Sequence, residues 1–119
     1  MTQHLTLHTR TTPAGAVIEL AGELDHHTAD EVRNALPGLG LHAGQQLVLD
    51  LGGLTFCDSS GITVLIAARN HALASDASIA LAAVPHRVSR IFRIVGLEQV
   101  FPSYLTAEDA ETAWLPTTE

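Results

Sequence analysis

The 119-residue sequence predicts a single α/β domain, residues 1–119, in which helices pack against one small mixed β-sheet. Two alternating segments near the N-terminus are typical of half-buried strands, and two near-continuous apolar runs are typical of buried strands. Stripes of apolar residues at helical spacing lie between and after these runs. The hydrophobic content of 46% is that of a globular chain and not of a disordered one.

The first half of the chain predicts a β-hairpin, a helix and a central strand. "HLTLHTR" and "AVIELAGEL" alternate apolar and polar residues around the turn residues "TTPAG", which indicates a hairpin at a sheet edge. In the helix that follows, Thr28 and Glu31 have capping-box spacing, and Pro37-Gly38 supply its end. "LVLDL" is apolar almost throughout, as expected of a strand covered on both faces.

The second half predicts a helix after "DSSG", a buried strand "SIALAAV", and two further helices. "HRVSRIFRIVG" has apolar residues at i, i+3, i+4 and i+7, with Gly96 placed to end the helix. The sequence allows a short strand near Val100, and "TAEDAETAWL" forms a short helix capped by Thr106. The order β-β-α-β-α-β-α-α implies parallel pairing through right-handed crossovers after the hairpin.

Charge and cysteine content restrict the function classes. The chain has six arginines, no lysine and a formal net charge of −7, which disfavours binding to nucleic acid or to an anionic membrane surface. No apolar run reaches the roughly 18 residues of a membrane helix, and the N-terminus lacks a secretory hydrophobic region. With Cys57 as the single cysteine, nothing indicates an oxidising compartment. These features predict a cytoplasmic protein that is not inserted in a membrane and binds proteins or small ligands.

The segment "FCDSSGI" places an acid and two serines at a strand-to-helix junction. Asp58, Ser59 and Ser60 could cap the helix, supply a nucleophile, bind phosphate or accept a modification. A serine nucleophile would favour G-x-S-x-G, but Cys57 occupies the first glycine position and no loop supplies an acid–base partner. Walker-A and dinucleotide glycine patterns are absent. Cys57 itself has the sequence context of a buried small hydrophobe.

Histidine and arginine groups offer two further candidates. His26 and His27 are adjacent, so on a helix they would point about 100° apart, and no zinc motif surrounds them. We therefore predict no metal site and no cofactor, with imidazoles that are structural or face a partner. Arg87, Arg90 and Arg93 recur at every third residue opposite the apolar stripe. They form either a solvated helix face or a contact for an acidic partner.

Taken together, "GELDHHTADEV" and "LVLDLGGLTFCDSSGITVLIAA" resemble the STAS-domain anti-sigma factor antagonists of bacteria. The resemblance continues in "VSRIFRIVGL" and covers roughly Val17 to Phe101. It implies the STAS fold, a small mixed sheet that starts with a β-hairpin, with about four helices mainly on one side.

The resemblance also implies a switch without enzymatic activity. In that family, the first serine of the motif is phosphorylated by an anti-sigma factor that is itself a serine kinase; here that serine is Ser59. The unphosphorylated form binds the kinase and releases a sigma factor, and a serine phosphatase restores it. The expected environment of the phosphorylation site is Asp25, Asp58, Ser60 and Gly61, and the expected partner contacts are His26, His27, Thr28, Arg87 and Arg90. The alternative is a STAS subunit of a membrane transport assembly that is not phosphorylated.

Overall fold

A computed structural model of the protein describes residues 4–114, which form five strands, four α-helices and two short 3-10 turns. The strands are β1 (Leu5–Thr12), β2 (Gly15–Leu24), β3 (Gln46–Cys57), β4 (Ser78–Ala82) and β5 (Ser103–Tyr104). The helices are α1 (Ala29–Ala35), α2 (Ser59–Ala74), α3 (His86–Val95) and α4 (Ala107–Trp114), and the 3-10 turns are Leu36–Leu39 and Leu97–Gln99. No helix within 4–114 has both the length and the apolar character that crossing a membrane requires.

The strands form one mixed sheet in the order β1-β2-β3-β4-β5. β1 pairs with β2 in an antiparallel hairpin at the sheet edge, and β2, β3, β4 and β5 run parallel to one another. Because each parallel pair is joined through a helix, the predicted strand–helix–strand units are confirmed. Asp25 and Asp58 therefore follow neighbouring strand ends, since Leu24 and Cys57 are paired across β2 and β3.

The core has two layers, one on each face of the sheet. Helices α1, α2 and α3 cover one face. Alternate residues of β2 and β3, such as Ile18 and Leu49, point toward these helices. On the other face, Ala107 and Ala110 of α4 pack on Val17, Val48, Ala80 and Ala82. The predicted arrangement with helices mainly on one side is confirmed. It also explains the apolar run of β3, because that strand is covered on both faces.

One local expectation is displaced and one is wrong. The short strand expected near Val100 forms three residues further on, at Ser103–Tyr104, because the backbone N–H of Val100 donates to the carbonyl of Leu97 (3.0 Å) in a 3-10 turn. Thr28 is the residue before α1, but its side chain does not form the predicted capping box with Glu31. The Thr28 hydroxyl instead donates to the carbonyl of Glu23 (2.8 Å).

Two other helix ends follow the sequence, and a third lies slightly earlier. α1 ends at Ala35, before Pro37-Gly38, and the chain continues through these two residues as a 3-10 turn. Gly96 ends α3 in the left-handed conformation, with φ of 79°, as expected. The backbone N–H of Asp109 donates to Thr106 Oγ1 (3.0 Å), which confirms Thr106 as the cap of α4.

Candidate functional site

The candidate site lies where β3 passes into α2. Asp58 adopts an extended conformation between them, and its Oδ1 accepts hydrogen bonds from the backbone N–H groups of Ser60 (2.9 Å) and Gly61 (3.1 Å). Of the three residues that could cap the helix, Asp58 alone does so. Ser59 is the first residue of α2 and is exposed, whereas Ser60 is half-buried. Within residues 4–114, no hydrogen bond engages the Ser59 hydroxyl, so it remains available for chemistry from outside.

Gly61 lets the first turn of α2 lie directly on the strand ends. A Cβ atom at this position would lie 2.7 Å from Cys57 Sγ, 2.8 Å from the carbonyl oxygen of Leu24 and 2.9 Å from Leu24 Cγ. These separations are shorter than van der Waals contact, so only glycine fits without a shift. The close packing fixes where the start of α2, and therefore Ser59, lies relative to β2 and β3.

Asp25 organises the neighbouring turn after β2. Its Oδ1 accepts hydrogen bonds from the backbone N–H groups of His27 (2.9 Å) and Thr28 (3.1 Å). Partial burial acts to raise the pKa of Asp25, but these hydrogen bonds, with a contribution from the Thr28 hydroxyl and the His27 charge, hold it below its usual value. Asp25 is therefore ionised at neutral pH and keeps the turn beside the Asp58 junction in one conformation.

A shallow depression of about 190 Å³ separates α1 from the start of α2. It is lined by His26, Ala29, Asp30, Arg33, Ser60 and Thr63. Asp30 and Arg33 form an exposed ion pair, with Arg33 Nη1 2.6 Å from Asp30 Oδ1. No sequence motif marks Asp30, Arg33 or Thr63, and only the packing of α1 against α2 brings them to Ser60.

The residues predicted to contact a partner lie in different places and differ in exposure. His26 lines the depression, and its ring lies 3.9 Å from that of His27, which is also exposed. Thr28 is only 4% exposed and its hydroxyl is held in the turn after β2; its role as a partner contact stays a prediction. Arg87 and Arg90 are exposed on α3 and do not line the depression.

An apolar surface continues from Ser59 along α2. Ile66 and Leu73 follow Ser59 at intervals of seven residues, so all three lie on one side of the helix, and all three are exposed. Phe56, three residues before Ser59, is exposed as well. The exposed hydroxyl therefore stands at the start of a side of α2 that also carries two exposed apolar side chains, an arrangement typical of a protein contact surface.

Cys57 takes no part in this chemistry. The side chain is buried, and burial, together with the charge of Asp58, raises the pKa of the thiol to about 12. The prediction of a buried small hydrophobe is confirmed, because such a thiol is almost entirely protonated and unreactive at neutral pH. In the part of the chain that the structure describes, no three His, Cys, Asp or Glu side chains are grouped to hold a metal ion.

The hairpin, the parallel strands and the capped serine junction define a STAS-type domain. Residues 7–106 match a family model described as "Mlab, STAS domain", and the chain belongs to the STAS domain family. Over 89 residues it is 33% identical to a Paenibacillus polymyxa protein named anti-sigma F factor antagonist, which covers 74% of this chain and 76% of the relative.

Solved structures give the same fold. An anti-sigma factor antagonist from Mycobacterium paratuberculosis superposes with a TM-score of 0.82 at 26% identity, covering 95% of this chain and 96% of that one. The anti-sigma factor antagonist SpoIIAA in its unphosphorylated form gives 0.77 at 22% identity, covering 96% of this chain and all of that one. The phosphorylated form of SpoIIAA, from Bacillus, gives 0.65 at 23% identity, covering 92% and 98%. At these identities the SpoIIAA structures show a shared fold.

Proposed function

We propose that the chain is a cytoplasmic anti-sigma factor antagonist whose unphosphorylated form binds an anti-sigma factor serine kinase and thereby releases a sigma factor. In this proposal, phosphorylation of Ser59 abolishes binding and a serine phosphatase restores it. The protein acts by binding and has no catalytic activity of its own. The observation that carries the proposal is the exposed Ser59 hydroxyl at the start of α2. Because Asp58 caps the helix, this hydroxyl is not needed as a cap.

The fold can carry a phosphate at this position. Phosphorylation adds about −1.5 to −2 charges, and the start of a helix favours negative charge through its backbone dipole. The N–H groups of Ser60 and Gly61 are already satisfied by Asp58, so the cap does not depend on the Ser59 hydroxyl. We therefore expect the phosphate to project into solvent and leave the domain folded.

A partner bound over Ser59 would not accept that charge. Asp58 is next to Ser59 and Asp30 lines the depression with Ser60, while the exposed apolar side chains of Ile66 and Leu73 lie about two and four turns further along the same side of α2. A protein that covers the apolar side chains removes water from the site, which strengthens repulsion between a phosphate and any acidic or acceptor group of the partner. The relatives support this use of the site: one is named an anti-sigma F factor antagonist, and SpoIIAA has been solved in both an unphosphorylated and a phosphorylated form.

The test compares binding of the wild type, Ser59→Ala and Ser59→Asp to the anti-sigma factor kinase of the same organism by titration calorimetry. With a partner acceptor about 5 Å from the added charge and an effective dielectric of about 20, one charge costs about 3 kcal/mol, or roughly two decades of affinity. A phosphate costs about 5 to 6 kcal/mol, or roughly four decades. We expect Ser59→Ala to bind and to resist inactivation by ATP.

Thr112→Asp is the matched control, because Thr112 is exposed on α4 at the opposite face of the sheet and the change adds the same charge. It should bind like the wild type. The proposed switch is refuted if Ser59→Asp binds with wild-type affinity. It is also refuted if incubation with kinase and ATP places the phosphate on Ser60 or Thr63. Binding to the ATPase subunit of a transport assembly, without phosphate transfer, would favour the alternative family role.

A further inference from the structure

Two apolar side chains outside the Ser59 site are far more exposed than any other large apolar residue in 4–114. Ile94 on α3 is 82% exposed and Leu105, just before α4, is 85% exposed, whereas the next, Val95, is 53% exposed. An isolated exposed leucine or isoleucine is ordinary on a protein surface. These two differ from an isolated case because charged residues accompany each of them: arginines near Ile94 and carboxylates near Leu105.

Ile94 belongs to a basic surface. Arg87 and Arg90 precede it by seven and four residues, so the three side chains share one side of α3, and both arginines are exposed. α3 contains no acidic residue, and within the described residues no ion pair or hydrogen bond joins Arg87 or Arg90 to another side chain. A chain of net charge −7 thus has a cationic surface with an exposed apolar side chain at one end. We call Arg87, Arg90 and Ile94 the basic knob.

Leu105 belongs to an acidic, hollow surface. It borders a depression of about 410 Å³ whose other lining residues are Ala83, Val84, Ser103 and Tyr104. Glu108 and Asp109 follow Leu105 in the first turn of α4, and both are exposed. The depression is therefore lined mainly by apolar side chains, and two carboxylates follow Leu105 three and four residues further along the chain. We call this surface, with Leu105, Glu108 and Asp109, the acidic hollow.

We propose that the basic knob of one molecule docks into the acidic hollow of a second copy of this chain. Ile94 would enter the hollow against Leu105, and Arg87 and Arg90 would face Glu108 and Asp109. The two surfaces have opposite charges, and one presents an exposed apolar side chain where the other has a depression. They do not satisfy each other within one chain, because Ile94 and Leu105 are 82% and 85% exposed and, among the described residues, no ion pair joins Arg87 or Arg90 to Glu108 or Asp109.

A contact between two different surfaces of the same chain leads to head-to-tail assembly, not to a symmetric pair. The arrangement uses neither Ser59 nor the surface beside it, so it is independent of the proposed phosphorylation switch. The contact is small and its charged rim is solvated, so the assembly should be reversible, dependent on concentration and sensitive to salt.

The test measures the mass of the wild type by sedimentation equilibrium. We expect the average mass to rise between about 10 µM and about 1 mM protein at low salt, and to fall back toward the monomer at about 0.5 M NaCl. Ile94→Ser and Leu105→Ser should each remain monomeric. Mixed in equal amounts, they should form a complex that stops at two chains, because one variant retains a hollow and the other retains a knob.

Two controls separate this contact from general effects. Leu73→Ser removes an exposed apolar side chain from α2 and should associate like the wild type. Arg90→Glu and Arg69→Glu change the net charge equally, but only Arg90→Glu should weaken association, by tenfold or more. A wild type that stays monomeric at about 1 mM in low salt overturns the proposal. So does a mixture of Ile94→Ser and Leu105→Ser that fails to pair.

Discussion

A methyl group added at Gly61 tests how tightly the start of α2 is packed on the strand ends. In Gly61→Ala the new carbon would lie 2.7 to 2.9 Å from Cys57 Sγ, Leu24 O and Leu24 Cγ. One of these atoms is a backbone carbonyl oxygen inside the sheet, and the cysteine and leucine side chains are buried. None can move away without displacing β2, β3 or the helix.

The magnitude follows from two opposing effects. Overpacking of a well-packed interior costs about 1 to 3 kcal/mol, and contact with three atoms, one of them in the backbone, places this site at the upper end. Alanine recovers up to about 1 kcal/mol relative to glycine inside a helix. We therefore expect a net loss of about 2 kcal/mol in the free energy of unfolding, which lowers Tm by roughly 6 to 12 °C in a domain of this size.

Gly38→Ala is the matched control. A Cβ atom at Gly38 meets nothing within 4 Å, so this variant should unfold within about 0.5 kcal/mol of the wild type. Urea denaturation of the three proteins gives the free energies, and calorimetry with the kinase reports whether Ser59 has moved. If Gly61→Ala is as stable as Gly38→Ala, α2 does not pack tightly enough on the strand ends to exclude a methyl group, and the explanation for this glycine fails.

The remaining predictions concern the residues on either side of β3's end. Asp58→Ala should lower the free energy of unfolding by about 1 kcal/mol, because two backbone N–H groups lose their acceptor. Asp58→Asn should retain most of the stability that the cap provides. Equal stability of the wild type and Asp58→Ala in urea would contradict the capping role. Folding raises the pKa of the Cys57 thiol from 9.0 to about 12, so the unfolded chain loses this proton at a lower pH than the folded protein. The free energy of unfolding should therefore fall as the pH rises from about 9 toward 12, by at most about 1.4 kcal/mol per pH unit. Cys57→Ala should show a flatter alkaline profile in urea denaturation at pH 8 and about 10.5; parallel profiles would show that the buried thiol is not responsible.

The sequence was most informative where one residue type has one physical use. The apolar run of β3 indicated a strand covered on both faces, and Gly96 and Thr106 marked helix ends through backbone conformation and capping. It was least informative where a side chain could choose between partners. Thr28 has the spacing of a capping box, yet its hydroxyl donates to the carbonyl of Glu23. Its backbone N–H, which Glu31 would accept in a capping box, donates instead to the Asp25 carboxylate.

The sequence by itself determined the α/β class, the order of the elements up to the last short strand, and Ser59 as the residue of interest, because these follow from local periodicity and from one contiguous motif. Only the tertiary structure decided the surroundings of that residue. Asp30, Arg33 and Thr63 join the site through the packing of α1 on α2, and no spacing along the chain encodes that contact. The need for glycine at position 61 was equally hidden, because the atoms that forbid a side chain there include those of Leu24, which is distant in sequence and lies beside Cys57 only through the pairing of β2 with β3.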